Sequence, residues 1–126
     1  MLRDPAGAVE CARKATELEP TQGMFWNTLG AAQYRAGDSQ AAIDALHKAM
    51  ELRRGGDGFD WFFLAMAHWQ LGNKEQARKW NDRAVAWMQK NQPDNEDLLC
   101  FRAEAAKLMN SKDQPPPGKE TSPKKE

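Results

Sequence analysis

Valine occurs twice and isoleucine once in 126 residues. A sheet draws on β-branched side chains to fill its pleated faces, so this scarcity argues against an all-β or α/β fold. No apolar run nears the roughly 20 residues that a membrane-spanning helix needs, and no membrane segment is expected. The opening Met1-Leu2-Arg3-Asp4-Pro5 lacks the basic-then-apolar build of a secretory leader. An excess of one charge is missing too: 18 Lys+Arg balance 18 Asp+Glu. General attraction to nucleic acid or anionic membrane is therefore not expected. The two cysteines, Cys11 and Cys100, lie far apart with no CxxC spacing. They read as reduced thiols of a cytoplasmic protein.

Helix formers dominate instead. Alanine alone occurs 19 times, and five tryptophans and five phenylalanines add large apolar area for a helical core. The chain also repeats itself. Trp26 recurs as Trp61, Gly37 as Gly72, Ala42 as Ala77 and Ala49 as Ala84, always at a spacing of 35. Ala8 and Ala15 stand 34 residues before Ala42 and Ala49. A fixed offset of this size is the mark of stacked helical repeats.

Each unit reads as two helices. The apolar spacing predicts a first helix over about 22–36, a break at Gly37-Asp38, and a second over about 39–53, with Asp38 or Ser39 as N-cap. The next unit copies the plan over about 59–71 and 74–90, with Gly72-Asn73 as its turn. A lone helix over about 5–19 precedes them, started by Asp4-Pro5 and closed by Pro20. A capping helix over about 95–109 follows, bearing Leu98, Leu99, Phe101 and Leu108. The expected organisation is a half repeat over 1–20, repeats over 21–56 and 57–92, a cap over 93–110 and a disordered tail over 111–126.

Trp26-x-x-Leu29-Gly30, Gly37-Asp38 and Ala42-x-x-x-Leu46-x-x-Ala49 resemble the tetratricopeptide repeat, as do Trp61-x-x-Leu64-Ala65, Gly72, Ala77 and Ala84. The resemblance implies an all-α, right-handed superhelical stack of antiparallel helix pairs, six helices in all, with no sheet. Small residues such as Gly30, Ala42 and Ala49 would let helices approach, and Trp26 and Trp61 would fill the gaps. Ala65 departs from the pattern where glycine is usual. The stretch Phe59 to Trp69 also resembles repeat regions of planctomycete-type bacterial signalling proteins, notably serine/threonine kinases.

Candidate chemistry is thin. Arg53-Arg54-Gly55-Gly56-Asp57-Gly58 lacks the spacing, the Lys-Ser/Thr ending and the preceding strand of a phosphate loop, and reads as the linker between repeats. Asp57 and Asp60 do not complete a calcium loop. His68 falls on an apolar stripe and His47 on an outward face, neither with a ligand at i+4. No catalytic residue, metal or cofactor is expected, and the chain is read as a non-enzyme.

The expected site is the concave face lined by the first helix of each unit. Asn27, Ala31 and Tyr34, then Phe62, Met66 and Trp69, are the candidate partner-binding residues, taking a protein or peptide segment. Ala31 and Phe63 stand where repeats that capture a C-terminal carboxylate carry polar residues, so such a clamp is not implied. The expected function is a protein–protein interaction module or scaffold, within a larger signalling protein or as a small adaptor. A helical-repeat RNA-binding protein is the alternative, against which the balanced charge speaks. Ala8, Val9, Ala12 and Ala15 on the first helix predict either a further helix before it or a weak homodimer through that face.

Overall fold

A computed structural model describes residues 5–110. The Asp4 cap and the tail over 111–126 lie outside the described residues. Six helices follow in order: α1 (Pro5–Leu18), α2 (Gly23–Arg35), α3 (Ser39–Leu52), α4 (Gly58–Gln70), α5 (Lys74–Asn91) and α6 (Glu96–Met109). No strand occurs among the described residues. Every end lies within one residue of the sequence expectation, and the fold is an all-α stack of helix pairs. Helices α2 and α3 pack as one pair and α4 and α5 as the next, with α1 against α2 and α6 against α4.

The repeat at 35 residues reappears as the same hydrogen bonds. Gly37 and Gly72 take φ of +92° and +87°, the left-handed turn that ends α2 and α4. Beyond each, the Asp38 and Asn73 amides donate back to the carbonyls of Gln33 and His68, both at 2.9 Å. Asp38 then caps α3, its carboxylate accepting from the Ala41 amide at 3.2 Å. Asn73 does not cap α5 with its side chain; its amide lies 3.3 Å from His68 Nδ1 instead.

Gly30 marks the closest approach of α2 to α3. A Cβ there would sit 2.7 Å from Leu46 Cγ and 3.2 Å from the Ala42 carbonyl oxygen. Leu46 is itself buried and cannot swing away. Gly30→Ala is expected to destabilise by about 1–2 kcal/mol, overpacking outweighing the gain of about 1 kcal/mol in helix propensity. Thermal unfolding checks this. Ala65, at the matching place in α4, is fully buried with its methyl in place.

One core cluster runs from Ala42, Ile43 and Leu46 of α3 through all of Trp61–Ala67 to Ala77, Ala84 and Met88 of α5 and Leu98, Ala105 and Met109 of α6. A second, smaller cluster joins Ala12 of α1 to Leu29 and Ala45, with Val9 and Trp26 against it. Two expectations are narrowed here. Of the four residues that carry the expectation of a preceding helix or a homodimer, Ala12 is buried in this cluster and Val9 packs half-buried against it, while Ala8 is exposed and Ala15 half-buried. Trp26 is only half-buried, its Nε1 donating to the Pro20 carbonyl at 2.8 Å, whereas Trp61 is in the main core.

Candidate functional site

The residues expected to meet a partner lie on α2 and α4, which with α6 pack side by side as the inner helices. In α2, Asn27 is already engaged: its Nδ2 donates to Asp60 Oδ1 at 2.7 Å. Asp60 is 0% exposed and also accepts from Arg53 Nη1 at 2.7 Å and from the Asp57 amide at 3.2 Å. Arg53 bridges on to Asp57 at 2.6 Å, and Asp57 caps α4 in a reciprocal capping box with Asp60. Burial raises the Asp60 carboxyl above its ordinary value of 3.8, and the Asp57 charge adds to this; the Asn27 bond, the Arg53 charge and the Asp57 amide hold it back. The linker between repeats is thus a charged clasp that also fixes Asn27. The Asp57-x-x-Asp60 spacing ahead of an apolar run was its readable signal.

Of the other expected residues, Ala31 is half-buried and packs against the main cluster. Phe62 and Met66 are 0% exposed and Trp69 is 3% exposed. They therefore belong to the core and present no open surface for a partner. The reason is the position of α4, which packs against α2, α3, α5 and α6 and has no free apolar side. The Trp69 ring lies under two cations, Lys74 Nζ at 5.1 Å and Arg78 Cζ at 5.3 Å.

Tyr34 is placed differently. Its ring meets Phe63 edge-on at 5.9 Å, and its hydroxyl lies 3.5 Å from Gln70 Nε2. Burial raises the hydroxyl above its ordinary value of 10.0, so it keeps its proton at neutral pH. Phe63 in turn meets Phe101 of α6 edge-on at 4.8 Å. Over these rings lies the Arg35 guanidinium, 5.2 Å from the Phe63 centroid and 5.8 Å from that of Tyr34. It makes a two-pronged ion pair with Glu104, with one bond of 2.9 Å. This pair joins the first inner helix to the third.

Beside it opens a cleft of about 590 Å³. The ends of α2 (Tyr34, Arg35) and α4 (Gln70, Leu71), the turn and start of α3 (Gly37 to Gln40) and Glu104 of α6 line it. Leu71 is 40% exposed, and Gln70 Oε1 is a buried acceptor with no hydrogen-bond partner. Among the six expected contact residues only Tyr34 lines this cleft. Sequence spacing did not reveal the rest, because three separate helix ends and a turn converge to make it.

Among the described residues no group of three or more His, Cys, Asp or Glu gathers to hold a metal. His68 is held below its ordinary value of 6.5 by burial and by the nearby His47 charge, so its ring is neutral at pH 7. His47 is exposed and edge-on to Trp80 at 6.5 Å. No described helix is long and apolar enough to cross a membrane.

Residues 2–57 and 61–96 match the tetratricopeptide repeat, which is more than half of the chain. The chain belongs to the tetratricopeptide repeat family. A stretch of 45 residues is 40% identical to a peroxisomal targeting signal receptor of Kluyveromyces lactis. That similarity takes in 36% of this chain and 8% of the receptor, so the chain spans a small part of this relative.

Proposed function

We propose that the chain is a protein-interaction module without chemistry of its own, and that it takes a partner segment in the cleft where α2, α3, α4 and α6 converge. The observation that carries this is the cleft itself, a concavity of about 590 Å³ within the usual range of binding sites. All three inner helices contribute to it, and it holds Tyr34 and the exposed Leu71 beside polar groups. Family membership supports a binding role, and the relative's role as a receptor for a targeting signal is of the same kind. The Phe59–Trp69 resemblance suggests a larger signalling chain as the setting. Exposed, unpaired Cys11 and Cys100 suit the reducing cytoplasm. The RNA-binding alternative finds no basic groove here, since Asp38 and Glu104 oppose Arg35 in the cleft lining.

The test is quantitative retrieval of partners by the tagged chain from source-cell lysate. Leu71→Glu puts a charge in the cleft. Leu99→Glu does so on α6 at a residue of similar exposure outside the cleft lining. The expected result is a protein lost with Leu71→Glu and kept with Leu99→Glu, both variants melting like the parent. Equal retrieval by all three would overturn the cleft as the binding surface.

A further inference from the structure

Three helices of the stack end on a left-handed residue. After α2 and α4 it is glycine, Gly37 and Gly72; after α3 it is Arg54, with φ of +57°. The turn is the same in all three. The Gly55 amide donates to the Met50 carbonyl at 2.7 Å, as the Asp38 and Asn73 amides do to those of Gln33 and His68. A Cβ is disfavoured in this conformation, and glycine is the usual residue there. Among the described residues Arg54 is the one non-glycine with a positive φ. It is exposed, and no ion pair among the described residues includes it. The acids nearest to it along the chain are engaged elsewhere, Glu51 with Lys48 at 3.8 Å and Asp57 with Arg53 at 2.6 Å.

A second arginine belongs to the same neighbourhood. Trp61 Nε1 donates to the Gly55 carbonyl at 3.0 Å, which ties the turn to the Trp61 ring. The Arg83 guanidinium lies 4.5 Å from the centroid of that ring and 4.9 Å from that of Trp80. Stacking engages a guanidinium by its face and leaves its N–H donors for an acceptor. Arg83 too is exposed and in no ion pair among the described residues. Its helix, α5, carries five cations against two carboxylates. Trp87, half-buried one turn further along α5, adds an apolar shoulder.

We propose that Arg54 and Arg83 dock an acidic segment of a partner protein, its carboxylates accepting from the two guanidinium groups. Forked donors match carboxylates, and a residue choice that strains the turn has a reason in such contacts. A nucleic-acid strand fits less well. Trp61 is 8% exposed with Arg83 over its ring, so it offers bases no open stacking face, and the chain as a whole has no positive charge to hold a polyphosphate. This surface shares no residue with the cleft lining and is a second site beyond the one proposed above.

The test titrates the full-length, isotope-labelled chain with acetylated Gly-Glu-Asp-Leu-Glu-Asp-Gly and follows it by NMR. A neutral twin carries glutamine and asparagine in place of the acids, and hexauridylate is the nucleic-acid arm. The expected result is a shift of the Trp61 indole N–H and the Gly55 amide with the acidic peptide, and binding weaker by about tenfold or more with the neutral twin. Arg54→Gly is the sharpest variant. It is expected to melt at or above the parent temperature, since glycine relieves the turn, and yet to bind the peptide about fivefold or more weakly. Arg83→Gln should weaken it similarly, and so should added salt. Arg13→Gln removes an exposed cation of α1, and Leu71→Glu alters the cleft; both are expected to leave this binding unchanged. Equal binding of the neutral twin, tighter binding of hexauridylate, or no binding at millimolar peptide would overturn the proposal. So would unchanged binding by Arg54→Gly, or an Arg54→Gly that melts lower than the parent, which would make the arginine a structural choice. Loss with Leu71→Glu would place the peptide in the cleft and remove this second site while leaving the first.

Discussion

Phe62→Ala is expected to destabilise the chain by about 3–5 kcal/mol, the range for a buried aromatic cut to alanine. Phe62 is 0% exposed and sits in the cluster that joins α3, α4, α5 and α6. In a domain of this size such a loss is a large share of the total stability of about 5–15 kcal/mol. Urea unfolding measures it directly. A change below about 0.5 kcal/mol is what surface substitutions give, and it would return Phe62 to the partner-facing surface that its spacing first suggested.

The second large effect concerns Asp60. Asp60→Ala strands the Arg53 guanidinium and the Asn27 amide in a half-buried joint. Its expected cost lies toward the lower end of the about 3–5 kcal/mol for breaking a buried ion pair, because Arg53 keeps Asp57. Asp60→Asn behaves differently. Its carbonyl can accept from Arg53 and the Asp57 amide, and its amide can donate to Asn27 once that side chain flips, so most of the network survives. The two also part with pH. Burial raises the folded-state value of Asp60, so its favourable contribution is fully present below the ordinary 3.8 and is lost as the pH rises through the raised value. The wild type is therefore expected to lose stability relative to Asp60→Asn on going from acid to neutral pH. Unfolding free energies of both proteins across a pH series check this. A difference that runs the other way would mean that Arg53 outweighs burial.

The helix bounds, the Gly37 and Gly72 stops and the Gly30 contact were all legible, because each depends on a local residue choice repeated at a fixed offset. The surroundings of α4 were legible only in part. Spacing marks one stripe toward a pairing helix, and Phe62, Met66 and Trp69 fell beside that stripe. Yet Trp61–Ala67 is apolar all round, the pattern of a helix buried on every side, and that signal pointed to the core. The inward turn of Val9 and Ala12 depends on how α1 leans on α2, which spacing does not fix. The cleft was illegible for a related reason. Tyr34, Asp38, Gln70 and Glu104 lie on four different helices or turns, and only the stacking brings them together.

Site-specific photo-crosslinking tests the central claim most directly. A photoreactive phenylalanine analogue is placed at Gln40, an exposed residue on the cleft wall, and in a parallel protein at Glu75, an exposed residue of α5 outside the cleft lining. A partner kept by the parent chain is expected to crosslink from Gln40 and not from Glu75. Crosslinking from Glu75 with none from Gln40 would contradict it, and would move the binding surface to the outer helices.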